Sequence, residues 1–246
     1  MCRPYTGATL RRDTVCMRPT NPTDRHRQQA GLALVMLLLV LFLACATWLQ
    51  FARDDLDWAW ATLSLYLHGP HGLLLRIAYC LLAVAIVVLA WTLYTQLRSD
   101  ARRVLPPLLF SVAGLGLAGV AIGDSWLPGR APLLAPLVHG LSAQTAFLCV
   151  TVAMLLQAWC FGRDRGWLWV HRTAWWWAWL AFAGLWLHVL WRASPRGFGQ
   201  KLVIAMVVGW LLLVAIAAWR RLHKEPAETS GSGHNGGHIQ SRETPP

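Results

Sequence analysis

The chain has 246 residues, 56% of them hydrophobic and only 13% charged, with 22 Lys and Arg against 11 Asp and Glu. A net charge of +11 would suit nucleic acid in a soluble protein, but the arginines lie almost entirely outside long apolar runs, so the charge is a topology signal and no nucleic-acid partner is expected. The apolar runs leave no room for a soluble catalytic domain and place the chain in the membrane class.

Residues 1–29 are polar and carry Arg3, Arg11, Arg12, Arg18, Arg25 and Arg27; they read as a disordered cytoplasmic arm. The first apolar run, 30–51, is too long for a signal-peptide core and lacks a small-x-small exit, so it is expected to stay as the first helix. An acidic and aromatic connection follows over 53–71, with Asp54, Asp55, Asp57, Trp58 and Trp60 suited to a water interface. Further helices are predicted over 72–97, 104–126, 131–161, 173–191 and 202–219. A bilayer core needs about 20 residues of helix at about 1.5 Å each, and six runs qualify. Being continuous rather than alternating, they are helices and not barrel strands. The tail over 223–246 is rich in Gly, Ser, Pro and Glu and reads as a disordered cytoplasmic tail, with His234 and His238 as solvated residues. The expected fold is therefore an all-α polytopic helix bundle, with six transmembrane helices within 30–222.

Placing the N-terminus inside puts sixteen Lys and Arg on the inner side and six on the outer: Arg53, Arg76, Arg130, Arg192, Arg196 and Lys201. The asymmetry predicts both termini in the cytoplasm of a bacterium, with the protein in its inner membrane. Cys45, Cys80, Cys149 and Cys160 fall in apolar segments and read as membrane-buried thiols. Gly114, Gly116, Gly119 and Gly123 form a packing face on the third helix. The WWWAW stretch at 175–179 reads as an aromatic belt at the headgroup boundary.

Nucleotide-binding, H-E-x-x-H and G-x-S-x-G signatures are absent, so any chemistry belongs at the membrane. Ionisable residues inside lipid are costly and are weighed first as functional candidates. Here they gather in the outer half: Arg76 and Tyr79 on the second helix, Asp124 and Ser125 on the third, His139, Ser142 and Gln144 on the fourth, His188 and Arg192 on the fifth. Arg76 and Arg192 would hold an anion or headgroup, with Asp124 keeping a histidine charged; the bland alternative is a set of interhelical hydrogen bonds and snorkelling charges. A zinc lipid hydrolase would draw on His139, His188 and Asp124, with His68 or His71 from the loop. A b-type haem would need His139 and His188 as its pair, and a transporter would use the break at Pro132 and Pro136.

GDSWLPG at 123–129, the following His139 and Gly140, the closing stretch 197–222 and LSLYLHGPHG at 63–72 together resemble domain-of-unknown-function family 998 over about residues 30–222. The resemblance implies a six-helix membrane protein similar to the Frag1, DRAM and Sfk1 group of eukaryotic proteins, and it brings no established activity. His139 and Gly140 carry over from the family pattern, whereas Asp124 precedes Pro128 where the family's acidic residue follows the proline.

The expected function is the handling of a lipid or small amphiphile at the outward-facing cluster of Asp124, His139, Ser142, His188, Arg76 and Arg192; the alternative is a membrane-embedded metal-dependent lipid hydrolase. Membrane lipids are the expected partners, with no resident cofactor or metal and no soluble partner. Cysteine-accessibility labelling is expected to mark the loop 53–71 from outside and the loop 163–172 from inside; labelling of both from one side would overturn this topology.

Overall fold

The computed structural model describes residues 22–191 and 193–224, without the side chains at 22, 124–127, 130 and 224. The described residues form six long helices: α1 (Pro22–Ala52), α2 (Gly72–Gln96), α3 (Leu105–Arg130), α4 (Ala135–Phe161), α5 (Leu168–Leu190) and α6 (Arg196–Lys224). Short 3-10 turns cover Leu63–Leu67 and Arg165–Trp167. Five of the helices are long and apolar enough to cross a membrane. The remaining one, α5, has 23 residues, about 34 Å of helix, and its tryptophans lower its hydropathy. The chain is an integral membrane protein built as a helix bundle.

Each helix packs on its neighbour in sequence, and α6 returns to α1 to close a ring. Six antiparallel passes bring Pro22 and Lys224 to one face, where Arg25 donates to the Leu222 carbonyl. This is the termini face; the opposite one is the distal face. On α1 the inward side is Leu32, Val35, Leu39, Phe42 and Leu49, spaced three, four or seven apart, while Leu34, Leu37, Val40 and Leu41 stand exposed. A soluble protein would not leave such a continuous apolar circumference in water; here its solvent is hydrocarbon.

Helix ends depart from the hydropathy boundaries because caps and turns, rather than apolarity, end a helix. α1 starts at Pro22 instead of 30, with Asp24 in its first turn facing the positive end of the dipole. α4 starts at Ala135 instead of 131, after a turn in which the Leu134 N–H donates to the Ala131 carbonyl, and Pro136 sits in its first turn. α5 starts at Leu168, so the 175–179 tryptophans lie about 10 Å along the helix, where two indoles serve packing. Trp177 Nε1 donates to the Met206 carbonyl at 3.0 Å, and Trp210 Nε1 to the Ala174 carbonyl at 2.8 Å, locking α5 to α6 in both directions. Gly209 makes room, since a Cβ there would come within 2.8 Å of the Trp177 ring. Residues 1–21 of the arm and 225–246 of the tail lie outside the described residues.

One ionic knot closes each face. At the termini face Asp164 is fully buried, and its carboxylate accepts from the Gly166 N–H at 2.9 Å and the Arg98 N–H at 3.0 Å. Arg221 stands 3.6 Å from the same carboxylate and lies over the Trp167 ring, which stacks on Phe161. One carboxylate thus ties the α2–α3 turn, the α4–α5 turn and the end of α6. At the distal face Arg53 is buried, with Nε and Nη2 on the two Asp55 oxygens at 2.6 and 2.7 Å and Nη1 on the His68 carbonyl at 2.7 Å.

Asp164→Ala leaves a cation and two N–H groups without their acceptor and should cost about 2–3 kcal/mol, read as a lower thermal midpoint in detergent; an unchanged midpoint would refute the knot. The hydrogen bond from Arg53 holds the Asp55 carboxyl below the ordinary aspartate range. Its contribution is therefore complete above that range and lost as pH falls through the lowered value. Proteolysis of the 53–71 loop should accelerate only in that acid window, and Arg53→Met should remove the pH dependence.

Candidate functional site

The connection from Arg53 to His71 forms a lid over the distal end of the ring. Its 3-10 turn buries Leu63, Tyr66 and Leu67, and the Leu63 N–H donates to Gln200 Oε1 of α6 at 2.8 Å. The Phe198 N–H donates to the Ala59 carbonyl at 2.8 Å, and a Cβ at Gly197 would come within 2.3 Å of the Ala61 oxygen, so lid and α6 meet backbone to backbone. Gly69, at φ +77°, turns the chain tightly against the Arg53 guanidinium. Burial pushes the Tyr66 phenol up, and its hydroxyl is buried with no hydrogen-bond partner.

Beneath the lid lies a cavity of about 70 Å³, walled by residues of α1, α2, α3, α4 and α6. Its deep walls are apolar, with Phe42, Leu82, Ile86, Val150 and Val208. Polar groups collect toward the distal end: Ser64 from the lid, Tyr79 from α2, His139 from α4 and Gln200 from α6. From His139 to Val150 is eleven residues of α4, about 16 Å of helix, so the space is deep and narrow. A second hollow of about 380 Å³ opens on the distal surface among His68, Pro128, Pro132 and Pro136, and it shares Ser64 and His139 with the cavity. Those two residues stand between the surface hollow and the apolar interior. At about 70 Å³ the space as it stands holds only a few methylene groups, so a ligand with one hydrocarbon chain would part the apolar walls as it enters, with its polar end beside a hydroxyl, an amide and an imidazole.

Of the sequence candidates, His139 lines both hollows. Ser142 is turned to the α3–α4 seam, where its Oγ would lie 2.9 Å from a Cβ at Gly119. His188 packs on α6, with Nδ1 2.7 Å from the Cβ position of Gly199. Arg76 is half-buried on α2, its Nε without a hydrogen-bond partner. The Asp124 side chain and Arg192 lie outside the described residues. His139 is thus not joined in the cavity wall by Ser142, His188 or Arg76. Among the described residues no group of three or more His, Cys, Asp or Glu could hold a metal ion. Ser64 and Gln200 escaped the sequence reading: Ser64 lies in the connection 53–71, and Gln200 sits two residues before the sixth helix predicted over 202–219.

The chain matches the family described as proteins of unknown function, DUF998, over residues 36–217. No curated protein and no solved structure matches it. The matched span takes in the lid, both knots except Arg221, and every residue named in the cavity wall. By that match the chain belongs to the DUF998 family.

Proposed function

We propose that the protein binds a single-chain amphiphile in the cavity beneath the lid, drawing it from the membrane lipids of a bacterial cytoplasmic membrane. The termini face is cytoplasmic in this reading and the distal face looks outward, as the sixteen-to-six partition of Lys and Arg favours. The observation that carries the proposal is the division of one narrow space into an apolar depth and a polar mouth. Hydrocarbon in the depth replaces lipid contacts at little net cost, so selectivity comes from the mouth, where Ser64, His139 and Gln200 surround the polar end. A buried headgroup left without those partners would lose about 1–3 kcal/mol.

Native mass spectrometry of the purified protein with lysophosphatidylcholine and with a free fatty acid tests this. Ala143→Phe fills the cavity from its α4 wall and should weaken retention at least about tenfold. His139→Ala should weaken retention comparably while changing stability by no more than about 1 kcal/mol. Undiminished retention in Ala143→Phe would overturn the proposal; loss of folded protein in His139→Ala would make His139 a structural residue and leave no headgroup role for it.

A further inference from the structure

A separate groove of about 490 Å³ lies on the seam where α6 closes against α1, in the distal half. Its floor and sides are Leu43, Ala46, Phe51, Ile204 and Ala205, and Lys201 stands at its upper edge beside Trp58. Because α1 and α6 present this seam to the outside of the ring, the groove cannot stay empty in a bilayer, and hydrocarbon has to enter it.

The charge at the edge selects what enters. Lys201 Nζ donates to Gln50 Oε1 and to the Trp58 carbonyl at 2.7 Å, and it lies 5.0 Å from the centre of the Tyr66 ring. These partners are neutral, and among the described residues no carboxylate is hydrogen-bonded to the ammonium. Asp57 nearby is exposed and accepts from the Ala59 N–H. An ammonium has three N–H donors, and the third has no acceptor among the described residues. Acceptors on α1 and on the lid hold the long side chain against the groove, so little freedom remains to be lost when a ligand arrives.

We propose that this seam is a binding site for an anionic phospholipid of the distal leaflet, with its phosphate on Lys201 and an acyl chain lying along Leu43, Ala46 and Ile204. The site is distinct from the amphiphile cavity: it opens to the bilayer at the α1–α6 seam, with Trp58 and Leu63 of the lid at its edge. Only Ile204 contributes to both among the described lining residues.

The test uses the full chain in phosphatidylcholine nanodiscs containing a small share of phosphatidylglycerol with a photoreactive acyl chain, with adducts mapped by peptide mass spectrometry. Adducts are expected on residues 43–51 and 201–205. Lys201→Gln should lower them about fivefold, the scale of one basic side chain's attraction for anionic lipid, and Lys201→Arg should restore them. Ala205→Trp, a change at an exposed position of the groove, should lower them while leaving Lys201 in place. Photoreactive phosphatidylcholine should label the groove less in the parent chain and equally in the parent and Lys201→Gln. Labelling near 98–103 on the termini face should be the same in all variants. Equal labelling by the two lipids in the parent chain, or undiminished phosphatidylglycerol adducts in both Lys201→Gln and Ala205→Trp, would overturn the proposal.

Discussion

A buried guanidinium is destabilising unless its N–H groups find acceptors, and Arg53 meets that demand by folding a whole connection around itself. Its fork grips Asp55, its remaining nitrogen holds the His68 carbonyl, and Gly69 turns the chain tightly enough to make that reach possible. The acidic and aromatic stretch between α1 and α2 becomes a fitted lid instead of a solvated loop. Ser64, the Leu63 N–H and Tyr66 occupy their positions over the ring because the two ends of the lid are pinned together at Arg53. The cavity has a polar mouth for the same reason.

The termini face solves the matching problem with the opposite charge. Asp164 gathers backbone N–H groups from two turns and a cation from the last helix, so three connections share one carboxylate. Between the two knots the helices are held by shape and by a few directed bonds. The paired indoles of Trp177 and Trp210 do for α5 and α6 what close approach at Gly116 and Gly119 does for α3 and α4. Lipid offers the helices no hydrophobic drive to associate, so such bonds and contacts carry more of the specificity than they would in water.

Hydropathy made the six helices and their alternation legible, because a run of some 20 apolar residues has few other structures open to it. It could not show where polar residues continue a helix, and so it missed the early starts of α1 at Pro22 and α5 at Leu168. The tryptophans at 175–179 were read as an interface belt, which hid the role of Trp177 as a donor across a helix seam. Arg53 entered the sequence reading only as a charge on one side, and Asp164 was not singled out in the loop 163–172; burial, which gives them their weight, is a property of the folded chain. Depth along the helices brought Arg76, Ser142 and His188 to a common level with His139, but depth carries no information about rotation. The fold turns Ser142 toward Gly119 and His188 toward Gly199, leaving His139 to share the cavity wall with Ser64 and Gln200.

Closure of the ring by α6 bears on the order of assembly. The chain enters the membrane from its N-terminal end, and α1 through α5 can pack pairwise as each is made. The wall contributed by Gln200, Ile204, Val207 and Val208, and the acceptor that holds the Leu63 N–H, arrive only with the last helix. Until then the future cavity is an open trough facing lipid, Asp164 lacks its cation, and the groove beside Lys201 does not exist. The cavity wall and the ionic closure of the termini face are therefore completed in a single late step, when α6 docks between α5 and α1.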